Sequence, residues 1–454
     1  MRRIKVSQFF RANSLVLIIL LAIIVNFSFF VSLQPWKDEV VKNTVMSGDD
    51  APGYRNLAHT LFAEKSFKNF GTLRTPGYPL FIAVIFGIIG ERVWVILLLQ
   101  ILLNILSVVL IYKIALIFFT RNVALLSAFL FVADIHQALY AVSFLTESLF
   151  DILFFTSIYL LCKGLKTINP IPLFVSAIIL GITTLVRPIT IFFPFVAIIL
   201  IFFYFNKSLK MKLMLSLLFG LIFMVGIAPW LLYNYSMYGE AKLSSISSYN
   251  LLFCNVALTE ANKTGKTFKE VQTEFQVLAD QQAANQQTNK PVEKDKIYFN
   301  IAKDYIKDNL ILYCKINLMG VINLYSSLAT KQIAENFHLK AKPLPSNGYE
   351  VISIFSKISN FIKYKPIGEL IIAFTVAIYL ILNYVLAFYG TFRFCKNKEY
   401  FIFLFILIIL YFTAITGAVG EARYRVPFMP FINILCALGI FDLWRRGLIF
   451  KQQH

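Results

Sequence analysis

Apolar runs of about membrane length recur along the chain, separated by short polar pieces. They fall at roughly 14–33, 93–118, 123–142, 145–162, 171–187, 188–205, 213–235, 367–392, 400–419 and 427–444. A bilayer's hydrocarbon core takes about 20 apolar residues as a helix, and in lipid a helix satisfies its own backbone polar groups. The pattern predicts an all-α, polytopic integral membrane protein with about 10–12 transmembrane helices. A shorter apolar piece, 76–90, starts Pro-Gly-Tyr-Pro and ends Gly-Glu-Arg. Its length suits a juxtamembrane helix that does not cross.

Polarity rises in two long stretches, 34–92 and 237–366. They divide the chain into an N-terminal module (1–236, with the loop 34–92), a polar segment with short helices (237–366) and C-terminal helices (367–454). In the polar segment, Thr267 and Glu270 have capping-box spacing, and Phe268, Val271, Phe275 and Leu278 follow at helical intervals. The next stretch, QQAANQQTNKP (281–291), reads as a flexible loop. Residues 305–328 read as an apolar helix carrying Lys307, Asp308 and Lys315, lying along a membrane surface. The chain shows no internal repeat of the kind that builds transporters from inverted halves.

Composition sharpens this picture. The chain is 58% hydrophobic and only 15% charged, yet carries a formal charge of +19. Its basic residues cluster beside apolar runs, which marks membrane orientation and anionic headgroups rather than nucleic acid. Arg2, Arg3, Lys5 and Arg11 place the N-terminus in the cytoplasm. Lys113 with Arg121, Lys163 with Lys166, the lysines at 207, 210 and 212, Arg393 with Lys396 and Lys398, and Arg445 with Arg446 and Lys451 fall on the same side if 76–90 does not cross. The stretches 34–92 and 237–366 then face outward. The run 14–33 is expected to be a retained first span, since no small-residue cleavage site closes it. Five scattered cysteines give no disulfide framework, and four dispersed histidines give no zinc site of familiar spacing.

Several ionisable residues converge on the outward side against the positive-inside trend: Asp49, Asp50, Arg74, Glu147, Arg187, Glu421, Arg423 and Arg425. Arginines beside prolines suggest fixed cations for an anion. Asp134 and His136, near the outer end of one run, read as structural. One carboxylate with several cations at a membrane face suits sugar transfer from a lipid-phosphate donor. The acceptor hydroxyl needs a base, while the phosphate is already a good leaving group and needs cationic stabilisation. Glycoside hydrolysis would normally use two opposed carboxylates. The rival readings are a lipid-linked sugar flippase or transporter, which would carry its charges in mid-span, and a membrane scaffold.

GDDAPGYRNLA after the first run, then RTPGYPLF, LTESLF, LVRP and EARYRVPFMP near the C-terminus, occur in an order that resembles the GT-C membrane glycosyltransferases. The likeness is to relatives of dolichyl-phosphate-mannose protein mannosyltransferase and of the lipid A aminoarabinose transferase. The resemblance implies Asp50, four residues before Tyr54, as the catalytic carboxylate with Asp49 beside it. It implies Arg74 on the donor phosphate, with Arg187, Arg423 and Arg425 as further cations. Tyr54, Tyr78, Glu147 and Glu421 are the expected substrate contacts. The expected reaction is an inverting transfer of a single sugar from a polyprenyl-phosphate donor to a lipid, glycan or protein acceptor, at the outer face of the cytoplasmic membrane. No metal is required in this scheme; Asp49 and Asp50 are the residues that would share a Mg2+ or Mn2+. The sequence given lacks the large soluble C-terminal domain of oligosaccharyltransferases, which points to a single-sugar donor.

Overall fold

The computed structural model describes residues 2–48, 50–288, 290–339, 359, 361–396 and 401–447. Among these residues there is no strand. Helices α1 (Arg2–Leu33), α2 (Asp50–Glu64), α3 (Gly77–Ile89), α4 (Val93–Phe118), α5 (Arg121–Ala133), α6 (Ile135–Ala141), α7 (Glu147–Thr167), α8 (Pro170–Val186), α9 (Phe193–Tyr204) and α10 (Leu209–Tyr238) form the first part. Helix α11 (Ile246–Asn250), a π-helix (Leu251–Val256), α12 (Ala257–Thr264), α13 (Phe268–Asn285), α14 (Pro291–Asp308), α15 (Leu310–Ser326) and α16 (Thr330–Asn336) follow. Helices α17 (Ile367–Lys396), α18 (Phe401–Thr416), α19 (Ala422–Arg425) and α20 (Met429–Arg445) complete the described chain.

Among the described residues, five helices are long and apolar enough to cross a bilayer, or up to seven if the bent pairs α5–α6 and α15–α16 each count as one span. The remaining expected spans correspond to shorter helices, α8, α9, α18 and α20. The run 123–142 is broken by a 56° bend at Asp134. The carboxylate of Asp134 accepts the His136 backbone N–H at 3.2 Å and lies 2.9 Å from the His136 ring, which reaches the Leu328 carbonyl with its other nitrogen at 3.2 Å.

Lipid-facing and protein-facing positions are distinct. On α17, Ile371, Phe374, Ile378, Ile381, Val385, Phe388 and Phe392 are exposed in one stripe at three- and four-residue intervals. Such a stripe would be a liability in water and is natural against acyl chains. By contrast, every residue of α20 from Met429 to Gly439 is buried. Apolar burial drives little association in lipid, so close backbone approach and interhelical hydrogen bonds carry the packing. A methyl group on Gly439 would collide with the Leu386 carbonyl, and one on Gly390 with the Leu435 carbonyl. The Tyr379 hydroxyl joins α17 to α5 and α20 by donating to the Leu130 carbonyl (2.9 Å) and the Asn433 side-chain oxygen (3.1 Å).

The polar segment differs from expectation in two places. The capping box forms, with the Thr267 hydroxyl accepting from Glu270 N–H and the Glu270 carboxylate from Thr267 N–H. The helix it starts runs to Asn285, into the stretch expected as a loop, because Ala279 and Ala283 are buried on its inner face. The expected helix 305–328 is two helices, interrupted at Asn309. The second, α15, packs Gly320 against the backbone at Gly417 and Ala418, which ties the polar segment to the membrane helices.

Candidate active site

Helix ends meet at one end of the bundle. The N-termini of α2 and α7, the C-terminus of α8, the loop before α3 and the short helix α19 bring five charged side chains together. Asp50 is in the first turn of α2 and Glu147 in the first turn of α7, where the helix dipole favours a carboxylate. Arg187 caps the C-terminus of α8, where the dipole favours a cation, and Pro188 follows it.

Asp50 bridges two guanidiniums. Its Oδ1 accepts from Arg74 Nη2 at 2.8 Å and its Oδ2 from Arg423 Nη1 at 2.6 Å. Arg423 Nε also donates to Glu147 Oε1, which accepts from Arg187 Nη1 at 3.2 Å. The array is one continuous chain, Arg74–Asp50–Arg423–Glu147–Arg187, with three guanidiniums bonded to two carboxylates. Its ends differ in access: the Asp50 side chain is 39% exposed and that of Glu147 1%. Burial pushes the Asp50 carboxyl up, but the charges and hydrogen bonds of Arg423 and Arg74 outweigh it and bring it down to about 2.

Arg74 is rigidly held. Its guanidinium lies 4.2 Å above the Tyr54 ring and so close to Gly53 that a Cβ there would sit 3.2 Å from Nη2. The Tyr54 ring stands edge-on to Tyr78 at 5.0 Å. The strand of backbone leading to Arg74 is pinned by Ser244 Oγ to the Leu73 carbonyl (2.6 Å), by Ser245 N–H to the Thr72 carbonyl (2.8 Å) and by Thr75 to the Val186 carbonyl (3.4 Å).

Of the residues singled out by sequence, Asp50, Arg74, Arg187, Arg423 and Glu147 are brought into one cluster, with Tyr54 beneath it. Asp49 lies outside the described residues. Three others are placed elsewhere. Arg425, expected as a further cation for the phosphate, is buried and donates to the carbonyls of Leu324 (2.7 Å), Tyr325 (3.2 Å) and Ser327 (3.0 Å). Two residues beyond Arg423 on so short a helix, it points to the opposite side and joins α19 to the end of α15. Tyr78, expected to touch substrate, is fully buried, and its hydroxyl donates to Gln100 Oε1 at 2.7 Å. Gln100 in turn donates to the carbonyls of Ala141 and Ser143. Tyr78 therefore supports the Tyr54 platform from below. Glu421 is exposed at the cap of α19 and joins no ion pair of the cluster.

Sequence reasoning missed Gln100 and Asp151. Asp151 is buried one turn beyond Glu147 on α7, with one oxygen lacking a hydrogen-bond partner; its i+4 spacing from Glu147 was the available signal. Both oxygens of Asp50 face guanidiniums, and no group of three or more His, Cys, Asp or Glu side chains converges among the described residues.

Residues 73–233 match the family model described as dolichyl-phosphate-mannose-protein mannosyltransferase. The matched stretch includes Arg74, Glu147 and Arg187. No curated protein matches the chain by sequence. Among solved structures, the archaeal oligosaccharyltransferase AglB from Archaeoglobus fulgidus, in complex with an inhibitory peptide and a dolichol-phosphate, is similar at a TM-score of 0.51 and 12% identity. The match covers 96% of this chain and 51% of that one. The A. fulgidus oligosaccharyltransferase in complex with Zn and sulfate gives a TM-score of 0.48 at 12% identity, over 95% of this chain and 49% of that one. The chain spans about half the length of these structures, and at this identity the likeness is one of fold. The chain is thus a multi-pass membrane protein, similar in fold to the archaeal oligosaccharyltransferase AglB and, over residues 73–233, to the family model of the dolichyl-phosphate-mannose-protein mannosyltransferases.

Proposed function

We propose that the protein transfers a single sugar from a polyprenyl-phosphate donor to an acceptor hydroxyl at the outer face of the cytoplasmic membrane, with inversion. The observation that carries this reading is the Asp50 carboxylate set between Arg74 and Arg423 at the exposed end of the ion-pair chain. Guanidiniums bind phosphate in the same forked geometry in which they bind a carboxylate. A donor phosphate therefore competes with Asp50 for Arg74 and Arg423. As the phosphate takes over these contacts, Asp50 loses the two cations that suppress its basicity and turns to the acceptor hydroxyl. The hydroxyl oxygen attacks the anomeric carbon, its proton passes to Asp50, and the bond from that carbon to the phosphate oxygen breaks. The lipid phosphate leaves with the electron pair, stabilised by the arginines. One in-line displacement inverts the anomeric centre. Glu147 is nearly inaccessible and holds Arg423 and Arg187 in place. No divalent ion is needed, because the arginines supply the charge stabilisation.

The orientation rests on the basic clusters of the sequence, which the positive-inside trend assigns to the cytoplasm. In this reading residues 1–236 hold most of the catalytic machinery, 237–366 form an outward segment, and 367–454 supply Arg423. The charges lie at helix ends rather than in mid-span, which favours an enzyme over a flippase. The test is mass spectrometry of surface glycans, glycolipids and glycoproteins from cells with the protein, without it, and with Asp50→Asn. The expected result is a single-sugar difference that Asp50→Asn fails to restore. Full restoration by Asp50→Asn would overturn the proposed role.

A further inference from the structure

An open cleft of about 620 Å³ lies in the polar segment, between α14 on one side and α11 with the π-helix on the other. Asp295, Phe299 and Asn300 line it from one face of α14, opposite Ser247, Ser248 and Leu251. Asp295 is 2% exposed, yet its Oδ1 has no hydrogen-bond partner, while Oδ2 pairs with Lys242. That oxygen lies inside the wall rather than on its surface, and the Lys242 pair holds the carboxylate there. The other charges on its wall are paired: Lys296 lies 2.5 Å from Glu240. Phe299 is 47% exposed and, with Leu251, gives the cleft an apolar face.

The cleft is coupled to the catalytic cluster. Thr72, two residues before Arg74, lines a separate small recess, and Lys242 and Asp295 line both that recess and the cleft. The Ser245 hydroxyl lies 2.6 Å from that of Thr72, and the Ser244 hydroxyl donates to the next carbonyl, that of Leu73. Two residues of extended backbone reach about 7 Å. The π-helix places Leu251 in the cleft. Irregular helices of this kind recur at functional sites.

Resting on the glycosyltransferase reading above, we propose that this cleft is the acceptor site and that it takes the neutral saccharide part of the acceptor. Paired wall charges disfavour an anionic glycan or an acidic peptide. The Ser247 and Ser248 hydroxyls and the Asn300 amide suit sugar hydroxyls, which both donate and accept. The Phe299 ring suits the apolar face of a pyranose. The test is an array of immobilised neutral oligosaccharides, acidic oligosaccharides and peptides, probed with the purified full chain in detergent.

Wild type should bind neutral oligosaccharides. Phe299→Ala and Asn300→Ala change exposed residues and should keep the fold while weakening that binding about tenfold or more. Binding of peptides or acidic glycans instead, binding of no neutral oligosaccharide, or unchanged binding by Phe299→Ala would each overturn the assignment. If cleft variants lose saccharide binding while Asp50→Asn keeps turnover, the catalytic reading fails and the cleft assignment stands. If Asp50→Asn abolishes turnover while cleft variants leave the acceptor KM unchanged, the reverse holds.

Discussion

Arg423 and Arg425 sit two residues apart on one four-residue helix and have opposite surroundings. Arg423 is bonded to two carboxylates, one of them at an accessible edge. Arg425 is enclosed and bonded to three main-chain carbonyls. Carboxylates can be exchanged for another anion without rebuilding the chain, whereas main-chain carbonyls cannot move without it. On the function proposed above, the first environment suits a ligand site and the second a structural joint. A guanidinium's role is therefore read from what it bonds, since both arginines look alike in EARYRVPFMP.

The strongest way to break this contrast is at the carboxylate shared by Arg74 and Arg423. Asp50→Asn should lower transfer at least ~100-fold with normal expression and membrane insertion, as expected on removing a base. An active variant, with Asp49→Asn inactive instead, would move the role one residue upstream.

The paired arginine variants test the contrast itself. Arg423→Ala should lower turnover up to about 100-fold by removing a cation from the leaving phosphate. Arg425→Ala should act on folding instead. It leaves three carbonyls without their donor and should cost ~3 kcal/mol or more, seen as a large drop in Tm in detergent. Equal effects of the two variants on activity and Tm would erase the distinction.

Much of this site was legible because a charged residue in so apolar a chain is conspicuous. Asp50, Arg74, Glu147, Arg187 and Arg423 all stood out at helix ends. Distinguishing Arg425 was beyond the sequence, because direction on a four-residue helix is set by what packs around it. The burial of Tyr78 was hidden for a related reason: its partner Gln100 lies in the interior of an apolar run and gives no local signal. The helix to Asn285 was hidden by a Gln- and Asn-rich composition that two buried alanines override. The cleft was invisible, since its walls and Thr72 are brought together across more than 170 residues of chain.

A smaller effect concerns pH. The Asp50 carboxyl is held at about 2, below its ordinary value of 3.8. A depressed carboxyl contributes stability that is present above the ordinary range and is lost as pH falls through about 2. The difference in Tm between wild type and Asp50→Asn should therefore be constant from about pH 8 to about pH 5 and shrink below about pH 4. The kcat/KM profile should show no acid limb from Asp50 between about pH 5 and pH 8. An Asp50-dependent limb near pH 6 would mean that the arginine pair does not hold it in the free enzyme.

The smallest expected effect is that of chelation. Activity should survive exhaustive EDTA treatment, because arginines rather than a metal meet the phosphate. Loss of activity restored by one divalent ion would make the Asp49–Asp50 pair a metal site.

The central claim is that donor phosphate and Asp50 compete for Arg74 and Arg423. Its direct measurement is the affinity of the purified protein for a polyprenyl phosphate, titrated into wild type, Arg74→Ala and Asp50→Asn. Arg74→Ala should bind at least about tenfold more weakly, the loss of one charge-assisted contact. Asp50→Asn should bind as tightly as wild type or more tightly, because the competing carboxylate is gone. Unchanged binding by Arg74→Ala, or weaker binding by Asp50→Asn, would contradict the account.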